Sequence, residues 1–457
     1  MPLAKNIFLE ESKIAFDKKH RKTINFNISR YDEAVSRGKL RYTNLELAKQ
    51  RASYIKGKVV ANLAGYLEEF EKNATKNNIQ LLWARNSEEA VSEIIKVLNE
   101  NKAHLLVKSK SMISEEIELN ENLEKAGFEP VETDLGEFIV QVAGEKPYHI
   151  LTPAMHKSKE DVAELFTKKF NTAPNSTPTE ITLFVRDILR KKFTSAEVGV
   201  SGANFLVADV GGVALTENEG NGFMSVAFPK IHIVITGIEK ILPSINDLPL
   251  FLPLLAAHGT GQQITVYNSL LTGPKKAGEA NGPEKMFVVL LDNNRTEIAN
   301  EKEHYKALKC IRCGACLNAC PIYKNVGGYT YGSTYTGPIG SVITPFFNGF
   351  DKFNHLSYAC SVCGACSEVC PVKIPLHDLL LLNRKKSVEQ NMGTFEWNIG
   401  MKAYEWAFKK RKNLDIISGT LKNTMLKANK NVLGNQKVFP EFAKNSFSKT
   451  WKLNLKS

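Results

Sequence analysis

The apolar residues of this chain change period twice, and each change marks a change of structure. Through residues 1–75 they recur at three- and four-residue steps among polar positions, as in "YTNLELAKQRASYIKGKVVANLAGYLEEFEKNA". That period predicts amphipathic helices, an N-terminal helical cap on the domain that follows. From 76 to 300, short apolar runs alternate with helical patterns. "IQLLWA", "AHLLVKS", "FEPVET" and "YHILTP" read as strands. "SEEAVSEIIKVLNE" reads as a helix capped by Ser87, and "SEEIELNENLEKAG" as a helix stopping at Gly127. "SKEDVAELFTKKF" opens with an S-x-x-D box at Ser158 and Asp161. Strands alternating with helices of this length predict an α/β domain on a mainly parallel sheet, covered on both faces.

Between 198 and 236 the pattern becomes β-rich and glycine-punctuated, and "ANFLVADVGGVALTE" predicts a hairpin around Gly211 and Gly212. The polar loops "SGAN" (201–204) and "ENEGNG" (217–222) fall at strand ends, where α/β folds place ligands. Asn204, Glu217, Asn218, Glu219 and Asn221 are therefore the candidate pocket residues, with a backbone N–H nest for an anion as one use of the loops. The bland reading of these glycines is turn formation. No complete G-x-G-x-x-G or G-x₄-G-K-S/T occurs, so a self-contained dinucleotide or P-loop site is unsupported. No catalytic acid or base stands out. The nine histidines are scattered without an H-E-x-x-H, and His232 inside an apolar run reads as structural.

The second change of period comes at 301, where cysteine takes over. All eight cysteines lie in "CIRCGACLNACP" (310–321) and "CSVCGACSEVCP" (360–371), each spaced C-x₂-C-x₂-C-x₃-C-P. Zinc sites pair two C-x₂-C knuckles across a longer gap; three cysteines in one tight loop suit three corners of a 4Fe–4S cluster. In two-cluster ferredoxins the fourth cysteine serves the other cluster. The expected sets are Cys310, Cys313, Cys316 with Cys370, and Cys360, Cys363, Cys366 with Cys320. Gly314 and Gly364 let the backbone approach, and Pro321 and Pro371 turn the chain away. Two four-cysteine clusters without an open position carry single electrons. Residues 301–383 thus read as an α-helical ferredoxin module, with a folded excursion in the 39 residues between Cys320 and Cys360.

Charge matters mainly at the far end. Of the net +12, residues 384–457 supply sixteen Lys/Arg against five Asp/Glu, together with Trp397, Trp406 and Trp451. This helical, basic extension suits a solvated face, an acidic partner or anionic lipid; no recognition module supports nucleic acid. "LPLFLPLLAA" (248–257) is broken by Pro249 and Pro253 and is too short to span a bilayer. The first residues show no secretory pattern, and reduced thiols favour the cytosol. A cytoplasmic protein is expected, with peripheral membrane contact left open.

"GVSGANFLVADVGGVALTENEGNG" and "HIVITGIEKILPS", followed by the paired cysteine motifs, resemble the iron–sulfur B subunits of bacterial L-lactate utilisation systems over nearly the whole length. The resemblance implies a lactate-utilisation (LUD) domain at 76–300, related to the isomerase and CoA-transferase α/β group, and two 4Fe–4S clusters. It also implies electron transfer within an oxidoreductase complex that turns L-lactate into pyruvate as a carbon source. The implied partners are a cysteine-rich A subunit and a LUD-containing C subunit, with a quinone-linked or membrane acceptor beyond them. Two readings compete: service to another 2-hydroxy acid such as glycolate, or a redox-sensing LUD scaffold. Two complete motifs favour transport, since a sensor needs one labile cluster.

Overall fold

The computed structural model describes residues 3–393, 395–428, 438 and 440–454; residues 394, 429–437, 439 and 455–457 of the basic extension lie outside the described residues. Among these are ten strands: β1 (Ile79–Ala84), β2 (Leu105–Lys108), β3 (Glu129–Glu132), β4 (Val198–Ser201), β5 (Phe205–Val207), β6 (Gly212–Glu217), β7 (Ile231–Gly237), β8 (Ile241–Leu242), β9 (Tyr267–Leu271) and β10 (Lys285–Leu291). Six of them form one sheet in the order β1-β10-β7-β4-β2-β3, parallel throughout. All seven residues of β7 are buried, as a strand covered on both faces requires.

The period-two pattern sorts two cores. Ile231, Ile233 and Ile235 join Phe287, Val289 and Leu291 beneath the helix Ser87–Glu100. On the opposite face, Val234, Met286, Val288 and Leu290 meet the helix Leu63–Lys76. That face is also covered by a smaller sheet, β8-β5-β6-β9, through Leu206, Val213 and Ile241. Its β5–β6 hairpin turns at Gly211, whose φ of +58° and the closeness of Ala74 (a Cβ would lie 2.2 Å from its backbone nitrogen) leave room only for glycine.

Three local expectations are corrected. Asn86, not Ser87, caps its helix, accepting from the Glu89 amide at 2.9 Å. "SEEIELNENLEKAG" is two short helices, Met112–Glu116 and Leu119–Lys125, broken at a left-handed Glu118; the break leaves Glu115 and Glu116 to buried Lys108 and Arg295. "YHILTP" is not a strand. The segment is drawn over the cysteine module: His149 Nε2 meets Asn318 (3.2 Å), and Tyr323 donates to the Tyr148 carbonyl (3.1 Å). The capping box at Ser158 and Asp161 is present.

The N-terminal helices pack in two directions. Ile24, Ile28, Ala52 and Ile55 join the core of the cysteine module, while Val59 belongs to the core under the sheet. Between the cysteine motifs runs the helix Gly337–Asn348, buried from Gly337 to Phe347. Met1–Lys385 form one compact unit and Lys386–Ser457 another. The second unit holds the helices Phe395–Lys409, Arg411–Ile416, Gly419–Ala428 and Phe447–Asn454, and exposes Phe395, Tyr404, Trp406 and Phe408. "LPLFLPLLAA" lies in the helix Leu248–Gly259, with Phe251 and Leu254 buried. No described helix is long and apolar enough to cross a membrane.

Candidate metal centres and the adjoining cleft

Both cysteine motifs fold the same way. The residue before the second cysteine is left-handed in each, Arg312 at φ +59° and Val362 at +55°, and the glycine after it is left-handed too, Gly314 at +78° and Gly364 at +81°. A left-handed β-branched residue such as Val362 costs about 1–3 kcal/mol and persists only where its surroundings over-determine it. The result turns backbone amides onto sulfur: Arg312 N donates to Cys310 Sγ (3.4 Å) and Val362 N to Cys360 Sγ (3.2 Å), and after a left-handed Lys373 the Ile374 amide donates to Cys370 Sγ (3.3 Å). Short helices, Ala315–Ala319 and Ala365–Glu368, then carry the third cysteines.

Fourth cysteines lie across the pair. Cys370 shares one apolar-walled void with Cys310, Cys313 and Cys316, enclosed by Ile311, Leu317, Ile339 and Ile374. Burial pushes the Cys370 thiol up to about 11, with Cys310 adding to the push. Burial likewise raises Cys320, whose sulfur neighbours are Cys360 and Cys363, and pushes Cys366 up to about 12 beside Cys320 and Cys360. All eight thiols are free. Four sulfurs around an apolar void, with backbone N–H groups directed at them, form a donor set that fits an iron–sulfur cluster.

The carboxyl ends of β2, β4 and β7 open into a cleft of about 370 Å³ whose far wall is the first cysteine motif, with Arg312 and Cys313, and Tyr335. An ion network braces that wall. Buried Arg295 pairs with both oxygens of Glu116 (2.9 and 2.7 Å) and with Glu239 (2.6 Å). Arg312 lies over the Tyr335 ring at 4.2 Å and reaches Glu239 at 3.5 Å. Burial alone would raise Glu239, but Arg295, Arg312 and Lys240 hold it down at about 2. Lys56 donates to the carbonyls of Glu239 (2.5 Å) and Ile241 (3.3 Å), fixing the backbone after β7, and burial lowers it to about 7.

Gly237 makes this arrangement possible, because a Cβ there would lie 2.0 Å from Glu239 Oε2 and 2.4 Å from Arg295 Nε. Gly237→Ala is expected to cost about 1–3 kcal/mol of stability by forcing the pair apart. A urea midpoint of the anaerobic holoprotein equal to that of the unaltered chain would refute this.

The five pocket candidates all line the cleft, but most are engaged in holding its rim. Glu217 accepts from the amides of Gly222 (2.7 Å) and Phe223 (2.6 Å), so the chain's own carboxylate fills the anticipated N–H nest. Asn204 Oδ1 accepts from Thr216 N (2.9 Å), and Asn218 exchanges hydrogen bonds with Gln262 (3.1 and 2.9 Å). Asn221 turns its amide nitrogen to Glu217 (2.9 Å) and its oxygen to Thr133 (3.3 Å). Glu219 is exposed at the edge. Sequence reasoning missed Lys240, Glu239, Arg295 and Arg312. The one available signal was Arg312, a cation inside the first motif. His232, as expected, is structural: buried, lowered to about 3 by that burial, and bonded to Ser201 Oγ at 2.8 Å.

Residues 67–291 match the LUD domain family, and residues 306–374 match the 4Fe-4S dicluster domain family. The chain is 42% identical over 363 residues to lactate utilization protein B of Bacillus velezensis, covering 79% of this chain and 76% of that protein. It is 41% identical over 377 residues to lactate utilization protein B of Bacillus subtilis, covering 80% and 78%. An uncharacterized electron transport protein of Escherichia coli is 41% identical over 344 residues, covering 75% and 72%.

Proposed function

The chain belongs to the lactate utilization protein B family, and from that premise we propose that it is the iron–sulfur electron-transfer subunit of a complex oxidising L-lactate to pyruvate. The observation that carries this reading is the pair of four-cysteine sets, one of them around an apolar void and reaching the cleft at the sheet's carboxyl edge through Cys313. Two 4Fe–4S clusters, one held by Cys310, Cys313, Cys316 and Cys370 and the other by Cys320, Cys360, Cys363 and Cys366, would supply one-electron transfer. The chain's own residues do the rest. Backbone amides of Arg312, Val362 and Ile374 hydrogen-bond to sulfur and stabilise thiolate. Arg312 and Lys240 set positive charge beside Cys310.

The partners in this proposal are a cysteine-rich A subunit and a LUD-containing C subunit in the cytoplasm, with electrons leaving toward a quinone-linked acceptor. The basic extension, with exposed Phe395, Tyr404, Trp406 and Phe408, offers a face for an acidic partner or anionic lipid.

Prepared anaerobically, the protein is expected to hold about eight irons and eight sulfides, four per cluster. Mixed with both partner subunits, it should lose visible absorbance on addition of L-lactate. Bleaching by glycolate and not by lactate would overturn the substrate, and iron near four with stoichiometric zinc would overturn the two-cluster reading.

A further inference from the structure

Lys240 adds its charge to the ion network, helping to hold Glu239 down, but takes no hydrogen-bond or ion-pair partner in it. Its neighbours Arg295 and Arg312 each pair with Glu239, yet Lys240, which lines the cleft, forms no hydrogen bond or ion pair with a described residue. Lys240 is half-buried, and a cation so placed is ordinarily paired. Here every carboxylate of the cleft except exposed Glu219 is already committed. Glu116 and Glu239 serve Arg295, Glu217 caps the helix Asn221–Ala227, and Asp134 accepts from the amide of Glu137. Arg312 adds a second cation to the same wall, held flat by Tyr335, and its Nη1 has no hydrogen-bond partner. Ser109 and Ser111, after β2, add two hydroxyls, and the Ser111 side chain makes no capping bond to its own helix.

We propose that this cleft binds a small 2-hydroxy or 2-oxo monocarboxylate, its carboxylate against the Lys240 ammonium with Arg312 as the second cation. A volume of about 370 Å³ admits such an acid with space over, so the charged and hydroxyl groups, not the closeness of the walls, must select it. Charge-assisted bonds to the carboxylate orient it, and the serine hydroxyls serve the 2-oxygen. The acid then lies beside Cys313, with no intervening domain between the ligand and the first cysteine loop. The proposal takes its choice of acid from the function proposed above. Its geometry is independent of it.

A rival role for Lys240 is counter-ion to the first motif, since Cys310 is among its charged neighbours. Calorimetric titration of the anaerobic holoprotein with oxamate, a 2-oxo monocarboxylate that is not oxidised like lactate, separates the two. Expected is one saturable site per chain, weakened at least tenfold in Lys240→Met and severalfold in Ser111→Ala, with iron content unchanged in both. Ser111→Ala keeps the test decisive if the lysine variant fails to assemble. No saturable binding by the unaltered protein overturns the proposal. So does equal binding by both variants with a shifted cluster potential in Lys240→Met, the counter-ion outcome. If oxamate binds through Lys240 but lactate never bleaches the assembled complex, the site stands and the lactate reading fails. If lactate bleaches the complex while oxamate does not bind this chain, the reverse holds.

Discussion

Cys320→Ser, a change in the first motif, is expected to damage the cluster of the second motif and spare that of the first. Cys320 has Cys360 and Cys363 as its sulfur neighbours, while Cys370 faces Cys310 across the void of the opposite loop. Iron should fall from about eight toward about four per chain, and the surviving reduced-state magnetic resonance signal should match that of the cluster bound by Cys310, Cys313, Cys316 and Cys370. Cys370→Ser should give the complementary spectrum. Together the variants would show that neither motif holds a complete cluster from its own four cysteines. The crossing is wrong if each serine change removes the signal of its own motif.

The second large effect concerns Arg295, which is fully buried between Glu116 and Glu239 and lies 4.7 Å from the centre of the Phe347 ring. Arg295→Met keeps much of the volume but leaves two buried carboxylates without their main cation. Breaking a buried pair in this way costs about 3–5 kcal/mol. The pH dependence has a definite sign. Burial opposes ionisation of Glu239, but its cations hold it at about 2, and Arg295 likewise keeps Glu116 below the ordinary range. A carboxylate depressed in the fold adds stability above its unfolded value, about 4.3, and loses it as pH falls toward the folded value. In the variant both carboxyls titrate higher, so protonation relieves them. The gap between the two proteins should therefore be widest near pH 7 and narrow below about pH 5. Urea midpoints of the anaerobic holoproteins across that range measure it, and a gap of constant size would show that lost packing, not stranded charge, is the cause.

Legibility in the sequence followed the range of the interactions. "IQLLWA" and the run 231–237 announced their strands because burial on both faces demands apolar residues whatever else is near. The cysteine spacing was equally local, since one loop supplies three sulfurs. "YHILTP" misled because its apolar residues are buried against the cysteine module, 160 and more residues away, and not in a sheet. The pocket loops line a cleft, but the roles of their residues were hidden. Nothing in "ENEGNG" reveals that Glu217 turns back onto the amides of Gly222 and Phe223. Lys240 and Arg295 were invisible for the same reason. Their meaning depends on which carboxylates the fold has already paired, and Glu116 and Glu239 reach Arg295 from segments far from it in the chain.

The two-directional packing of the N-terminal helices has a consequence for biosynthesis. Lys49 Nζ donates to the carbonyl of Glu368, 319 residues later, and Glu46 pairs with Lys373. At about 5–20 residues per second, the ribosome needs roughly 15–65 s to make that partner after the helix has emerged. Through that interval Ile24, Ile28 and Ile55 lack their cysteine-module neighbours, and within their core only earlier residues such as Phe251 and Leu254 are there to cover them. The N-terminal helices can thus dock first on the helix Leu248–Gly259, and their packing is completed only when the last cysteine motif is made.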